Sequence, residues 1–461
     1  MVLSAMNRSI KKRSRAALST LAILAAAALP VFSQTAAVRL DLKDAVDTAL
    51  SKNIQPKIAE TGIKIAAEKV VEARSGKMPF VQFNQSAVRS NNPVFVFGSL
   101  LEQGRFGASN FQIDLLNHPK GVFNFRSTAG IQVPVFDQYQ TRYRVRQAEV
   151  GKSQADLQAE AVKQKLRFDV ISTYFGAVLG TEMIKVSNDA IRSAEANRKK
   201  TKDMVDVGMT TEADLLAAEV EVANAEQYRL EAESSLRTTL TSLNLMLGNN
   251  ADTRIELTAD LREKYFPLAD RDELIRIALE NRPDYQRAEL AAENARVQTD
   301  ALRGQKLPRV EAFGNIGYSS PYIANGSSDY TLGMNLTYTI FDAGRKSRTR
   351  QAAEAVSLAG LEKQNLADSI RLDVIRSLEN YKLARSKIQV SIKSTAYAEE
   401  ALRIIQDRYK FGLTTFNEVL RAESAVVAAR QNILKARYEY YVGFASILLA
   451  TGQLNDIRLF D

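Results

Sequence analysis

The sequence has no cysteine, a single histidine and only ten prolines in 461 residues. Without cysteine there is no disulfide framework and no thiolate metal site. With His118 as the only imidazole, nucleophile-base pairs and histidine-rich metal sites lack their parts. No glycine-rich phosphate loop occurs, and no basic stripe with interleaved aromatics marks a nucleic-acid surface. Beyond residue 33, no apolar run approaches the ~20 residues a membrane-spanning helix needs. Paired acids such as Glu399 and Glu400 fall on charged helix faces, where solvation is their ordinary role. These absences argue against an enzyme, a cofactor or metal protein, a nucleic-acid binder and a helical membrane protein.

Residues 1–33 read as an export signal: Arg8, Lys11, Lys12, Arg13 and Arg15 precede the apolar run from Leu18 to Leu29. Cleavage is expected after Ser33. An uncleaved anchor is the alternative, although the run is shorter than the ~20 residues a span requires. Removing five basic residues lowers the formal charge from +9 to +4 (9 − 5), so the basic balance reflects export.

What remains is patterned. From Tyr330 to Ile340, apolar Tyr330, Leu332, Met334, Leu336, Tyr338 and Ile340 alternate with Thr331, Gly333, Asn335, Thr337 and Thr339. A period of two with one apolar and one small or polar face suits a sheet between lipid and water. Phe341, Asp342 and Gly344 follow as a strand-to-helix junction: Asp342 is placed to accept from free helix N–H groups, and Gly344 to ease the bend. Residues 345–409 then keep a helical period through Ile370, Val374, Tyr381, Ile388, Ile392, Thr395, Leu402 and Tyr409. One helix there would be roughly 100 Å long. It stops at Phe411-Gly412-Leu413-Thr414, with Gly412 as a left-handed terminator. Thr415 and Glu418 are spaced as a capping box for the next helix.

The whole arrangement occurs twice. Phe136-Asp137 precedes Phe341-Asp342 by 205 positions (341 − 136), and Val207-Gly208-Met209-Thr210 precedes its counterpart by 204 (412 − 208). The first repeat, 34–248, comprises a helical segment bent at Pro56, strand 79–88, loop 91–121, strand 123–135, long helix 138–206 and helix 211–247. Thr211 and Asp214 are spaced as its capping box. A polar connector, 249–269, leads to the second repeat, 270–452: a helical segment bent near Pro283, strands 308–319 and 330–340, long helix 345–409 and helix 415–451. Residues 453–461 form a tail without strong signal. The loop 91–121 reads either as a cover over the sheet's end or as a plug or ligand surface. Four strands cannot close a barrel, and an open edge cannot face lipid. Three chains would supply about 12 strands, within the range of known outer-membrane barrels.

The duplicated strand-Phe-Asp-helix junction, the duplicated Gly-x-Thr-Thr turn and their spacing resemble the TolC-like outer-membrane efflux protein family over nearly all of the chain after the signal. The resemblance implies a mainly α protein with a small β part: a homotrimer whose 12-stranded outer-membrane β-barrel continues into a long periplasmic α-helical barrel. It implies an exit duct in outer-membrane lipid, served by an inner-membrane transporter and a periplasmic adaptor protein, with no cofactor. Relatives handle small molecules, metal cations or polypeptides, so type I protein secretion stays open beside small-molecule efflux. A structural coiled-coil envelope protein is the contrasting reading, and it has no use for the four strands. By resemblance, the tips Val207, Gly208, Met209, Thr210 and Phe411, Gly412, Leu413, Thr414 contact the adaptor. The pore constriction falls on Glu418, with Asp214 as its first-half counterpart and Arg421 where the family carries a second acid. The alternatives are a helix-stop role for the glycines and a capping role for the two acids.

Overall fold

The computed structural model describes residues 38–262, 264–323, 325–455 and 459–460, so the signal segment lies outside the described residues. The chain runs β1 (Val38–Leu40), α1 (Leu42–Lys52), α2 (Ile54–Ser75), β2 (Phe80–Ser90), α3 (Pro93–Glu102), a 3-10 turn (Ala108–Phe111), α4 (Ile113–Asn117), β3 (Val122–Phe136), α5 (Gln140–Asp206) and α6 (Glu212–Met246). It continues through β4 (Ile255–Leu257), α7 (Arg271–Asn281), α8 (Pro283–Gly304), β5 (Arg309–Ser320), β6 (Ser327–Thr337), α9 (Arg345–Lys410) and α10 (Phe416–Ala450). Helices α5 and α9, of 67 and 66 residues, each extend ~100 Å at 1.5 Å per residue.

The sheet is antiparallel, in the order β2-β3-β5-β6. Register sorts the side chains into a mainly apolar and a mainly polar face across all four strands, with Gln85, Ser127 and Ser328 as polar members of the first and Phe80 and Phe313 as apolar members of the second. On one face Val81, Ile131, Gly314 and Leu332 lie in a row, followed by Phe83, Ala129, Ile316 and Tyr330. On the other, Asn84, Thr128, Gly317 and Asp329 form a row, with Ser86, Arg126, Ser319 and Ser327 next to it. The apolar row of β6 (Tyr330, Leu332, Met334, Leu336) is 65–78 % exposed in the single chain. Strands β2 and β6 have no outer partner among the described residues.

The helices repeat this order. In the half nearer the sheet, α2 packs on α5, α5 on α8 and α8 on α9; in the far half, α6 packs on α5, and α10 fills the place of α8 between α5 and α9. Cross-links mark the seams: Arg74 to Glu149 at 3.1 Å, Lys363 to Glu289 at 2.7 Å, Arg430 to Glu399 at 2.6 Å. Apart from α1, α7, the β1–β4 pair and the α3–α4 segment, the protein is thus a wall one element thick, with β2, α2 and α6 along one edge and β6 and α9 along the other.

The densest packing lies midway along the long helices. Val170, Ile171, Tyr174 and Phe175 of α5, Ile370, Val374 and Tyr381 of α9, and Tyr440, Phe444 and Ile447 of α10 are buried together with Ala45, Val46 and Ala49 of α1. Phe266 stacks on Phe444, with ring centroids 4.2 Å apart. The Tyr381 hydroxyl donates to the Phe266 carbonyl at 3.0 Å and meets the Tyr440 hydroxyl at 2.9 Å.

Several expectations need correction. Residues 249–269 are not merely a polar connector: β4 pairs in parallel with β1, and Leu261 and Phe266 are core residues, as are Leu454 and Phe460 of the tail. The loop 91–121 contains α3, the 3-10 turn and α4, because Asn92 accepts the Phe95 N–H (3.2 Å) and Pro93 occupies the first helical position. The first helical segment breaks at Asn53 and not at Pro56. The Asn53 side chain caps α2 through the Gln55 N–H (2.8 Å), and Pro56 sits in the first turn, where no N–H is needed. The strand expected over 330–340 runs from Ser327 to Thr337. Its partner β5 begins at Arg309, paired with Thr337, and Pro308 offers no N–H to continue the ladder; Tyr338 and Ile340 lie past its end.

If residues 249–269 are core, Phe266→Ala lowers stability by about 3–5 kcal/mol through cavity formation, while the exposed neighbour change Tyr265→Ala stays within about 0.5 kcal/mol. Denaturant melts of the detergent-solubilised protein followed by circular dichroism compare the two; equal effects would contradict this placement.

Candidate functional site

Both long helices end in the same device. Gly208 and Gly412 take φ of 73° and 69°, the left-handed region that glycine occupies without strain. The Met209 N–H returns to the Met204 carbonyl (2.8 Å) and the Gly208 N–H to Val205 (2.9 Å); Leu413 to Arg408 (2.9 Å) and Gly412 to Tyr409 (3.0 Å) repeat the pattern. These paired bonds satisfy the last carbonyls of α5 and α9. With the backbone folded back, the apolar tips have nothing to pack on: Val207, Met209, Phe411 and Leu413 are 65–79 % exposed.

The two acids behind the tips differ. Asp214 accepts from the Thr210 hydroxyl (2.6 Å), the Thr211 hydroxyl (3.0 Å) and the Thr211 N–H (3.4 Å), while the Thr211 hydroxyl accepts the Asp214 N–H (3.3 Å). This is a complete capping box. The Thr210 hydroxyl first, then Thr211, hold the Asp214 carboxyl below the usual carboxylate range. The expected second box is not formed: the Thr415 side chain makes no capping bond, and Glu418 instead accepts from the Arg421 guanidinium at 3.2 Å. Arg421, one turn along α10, draws the carboxylate away from the helix start. Thr414 lies with these residues in the second turn, partly buried.

The two hairpins are locked together just above the tips. Ala218 of α6 packs with Phe416 and Val419 of α10, and Tyr409 closes this cluster with its ring 5.7 Å from Phe416. Lys200 of α5 lies 5.6 Å from the Tyr409 ring centroid, within cation-π range. Glu423, 6 % exposed, is the residue sequence reasoning missed. It continues the buried stripe of α10 through Phe416, Val419 and Val426, so a carboxylate at helical spacing among apolar positions was the legible signal. Its Oε1 accepts from the Ser193 hydroxyl at 3.0 Å and from Asn197, both on α5, and more distantly from Gln406 of α9 at 3.5 Å. Burial pushes the Glu423 carboxyl up, opposed by Ser193 and Asn197 and reinforced by Glu221.

The strand-to-helix junctions also diverge. Asp137 accepts the Thr141 N–H at 2.7 Å, and Gln138 and Tyr139 both take left-handed backbone, with the Phe136 ring 5.3 Å from Tyr139. Asp342 accepts the Gly344 N–H at 3.0 Å and pairs with Arg348. Gly344 itself has φ of −75°, so its conformational freedom is not what the bend uses. Phe341 is exposed.

A raised carboxyl pKa means that the folded state holds the proton more tightly than the unfolded one, so stability falls as pH climbs from the ordinary carboxylate range through the Glu423 value. Glu423→Gln keeps an acceptor for Ser193 and removes that slope. Amide hydrogen exchange in the tip-proximal turns of α9 and α10 should therefore slow in the variant at the upper end of the window and match the parent below it. A parent-like pH dependence in the variant would remove Glu423 as its source.

Comparison with known proteins agrees with this geometry. The profile of the family described as "Outer membrane efflux protein" matches residues 45–249 and 274–453, one stretch in each repeat. The chain is similar to the outer membrane efflux protein BepC of Brucella suis, 23 % identical over 449 residues, covering 93 % of this chain and 89 % of that one. It is also similar to the alkaline protease secretion protein AprF of Pseudomonas aeruginosa, 24 % identical over 353 residues, covering 73 % and 71 %. The crystal structure of the Campylobacter jejuni CmeC outer membrane channel superposes with a TM-score of 0.76 at 19 % identity, covering 89 % of this chain and 85 % of that one. The overall fold of strands and long helices is therefore shared with a solved outer membrane channel, and the chain belongs to the outer membrane efflux protein family.

Proposed function

We propose that the chain is one subunit of a homotrimeric outer-membrane exit duct, passing small molecules or ions outward with a periplasmic adaptor protein and an inner-membrane transporter. The observation that carries this reading is the wall with two free edges. The sheet turns a mainly apolar face one way and a mainly polar face the other, and neither edge strand has an outer partner among the described residues. Lipid cannot hydrate such edges, so the β2, α2 and α6 edge of one copy meets the β6 and α9 edge of the next. Three copies give about 12 strands. Head-to-tail contacts of this kind close into a ring when the rotation allows. Among the described residues no helix is long and apolar enough to cross a membrane, which leaves the sheet as the part in contact with outer-membrane lipid.

The helices continue the tube into the periplasm for ~100 Å, ending at tips whose exposed Val207, Met209, Phe411 and Leu413 suit an apolar adaptor surface. Glu418, free of the helix cap, is the constriction candidate, and three copies would form a ring. Arg421 partly cancels its charge. Asp214 is committed to its capping box and contributes less to the passage. We read the chain as a conduit without a reaction or cofactor of its own. Similarity to AprF keeps a second cargo open, a secreted polypeptide on the same scaffold.

In planar bilayers the purified protein should form cation-preferring pores. Arg421→Ala should strengthen that preference and Glu418→Gln weaken it, as removal of ring charges does; unchanged selectivity in both would take the constriction away from this turn. Leu413→Asp should abolish cross-linking to the adaptor while leaving pore formation intact, and undiminished cross-linking would place the adaptor elsewhere.

A further inference from the structure

The segment between β2 and β3 leaves the sheet at the end opposite the long helices and does not simply arch over it. Its helix α3 is fastened to the polar face. The Gln103 side chain donates to the Phe123 carbonyl (2.8 Å) and to Asn124 Oδ1 (3.1 Å). Glu102 Oε2 accepts from Asn124 (3.2 Å) and Ser319 (3.2 Å), and lies 3.2 Å from the Arg126 guanidinium. Arg126 also holds Asp329 through two bonds of 3.1 and 3.2 Å, reaching across β5. Gly317 makes that reach possible: a Cβ there would lie 2.7 Å from Asp329 Oδ1 and 3.0 Å from Arg126 Nη2. Gln103, Asn124 and Ser319 are buried, so this is an ordered joint spanning three strands.

Helical spacing then fixes what α3 turns away from the joint. Val96, Ser99 and Gln103 share the buried side, while Val94, Gly98 and Leu101, at i, i+4 and i+7, share the opposite side. Val94 is 81 % exposed, Leu101 is 51 % exposed, and nothing approaches within 4 Å of the Gly98 Cβ position. In a membrane barrel the polar face of the sheet lines the passage. An apolar helix face held on that side points into it.

We infer that α3 forms a second constriction of the duct, an apolar collar at its outer end, held inward by the Glu102-Arg126-Asp329 network and set by Val94, Gly98 and Leu101. This rests on the subunit assembly proposed above. The equivalent β5–β6 connection, residues 321–326, is too short to do the same, so the collar is built from the first repeat alone. Apolar narrowings of this kind restrict passage by size and by dewetting.

The cysteine-free chain allows the test in the assembled, membrane-extracted protein. Spin labels go on Val88→Cys, a polar-face position on β2 near the same level, and separately on Leu101→Cys, and pulsed double resonance reads the distances between copies. Leu101 labels should be closer to one another than Val88 labels. Adding Arg126→Ala, or the milder Asp329→Asn, should lengthen and broaden the Leu101 distances and leave those at Val88 unchanged. No distance at Val88 would overturn the assembly and the collar with it. A Val88 distance with Leu101 labels equally far or farther apart would overturn the collar alone. Leu101 distances that are short but indifferent to both variants would overturn the network as what holds it.

Discussion

An unpaired strand edge has nowhere to satisfy its N–H and C=O groups in hydrocarbon, and this chain has two such edges on one sheet. Every larger feature is consistent with that constraint. The mainly polar and mainly apolar faces persist across four strands because one register runs from Val81 through Ile131 and Gly314 to Leu332, with a shift only between Pro134 and Phe136. The helices inherit the lateral order of the strands, so the edges of the wall are free at every level. A wall of single thickness cannot bury both of its sides alone. Several exposed apolar residues, Leu358, Leu361 and Val390 on α9 and Ile54, Ile58 and Val220 on α2 and α6, lie on elements that form those edges.

Stability within one copy is concentrated where the wall is thickest. Around Tyr174, Phe175, Tyr381, Tyr440 and Phe444 the long helices are braced by α1, α7, the β1–β4 pair and the C-terminal residues up to Phe460. The hydroxyls of Tyr174, Tyr381, Tyr440 and Tyr441 there are bonded to carbonyls or to one another, as buried polar groups require. The tips have the opposite character: small apolar contacts, one buried carboxylate and exposed turns. Such a gradient, from a large buried cluster at mid-length to a small one near the tip, makes the tip the part whose arrangement small free energies can change.

Much of the fold was legible because its signals are local. Strict alternation gave the strands, the absence of proline and a helical period gave α9, and the glycine turns repeated at nearly constant spacing. The misses have a common cause in contacts far apart in sequence. Phe266 looked like part of a polar connector because its partner Phe444 lies in α10, and β4 is too short to register without β1. The Asn92-Pro93 start of α3 was readable but was hidden in a segment rich in asparagine and glycine. At the tips, sequence spacing gave Thr211-Asp214 and Thr415-Glu418 equal standing. The side chains separate them: Asp214 closes its cap, whereas Thr415 makes no capping bond and Glu418 pairs with Arg421.

The central claim is that one edge of the wall meets the other edge of a second copy, closing at three. Cysteines placed singly on β2 and on β6, in the otherwise cysteine-free chain, can be joined in mixed assemblies by a short bifunctional thiol reagent, with native mass spectrometry giving the number of chains. The account predicts β2-to-β6 links between copies and a mass of three chains. Links joining only β2 to β2 or β6 to β6, or a stable species of one or two chains, would contradict it.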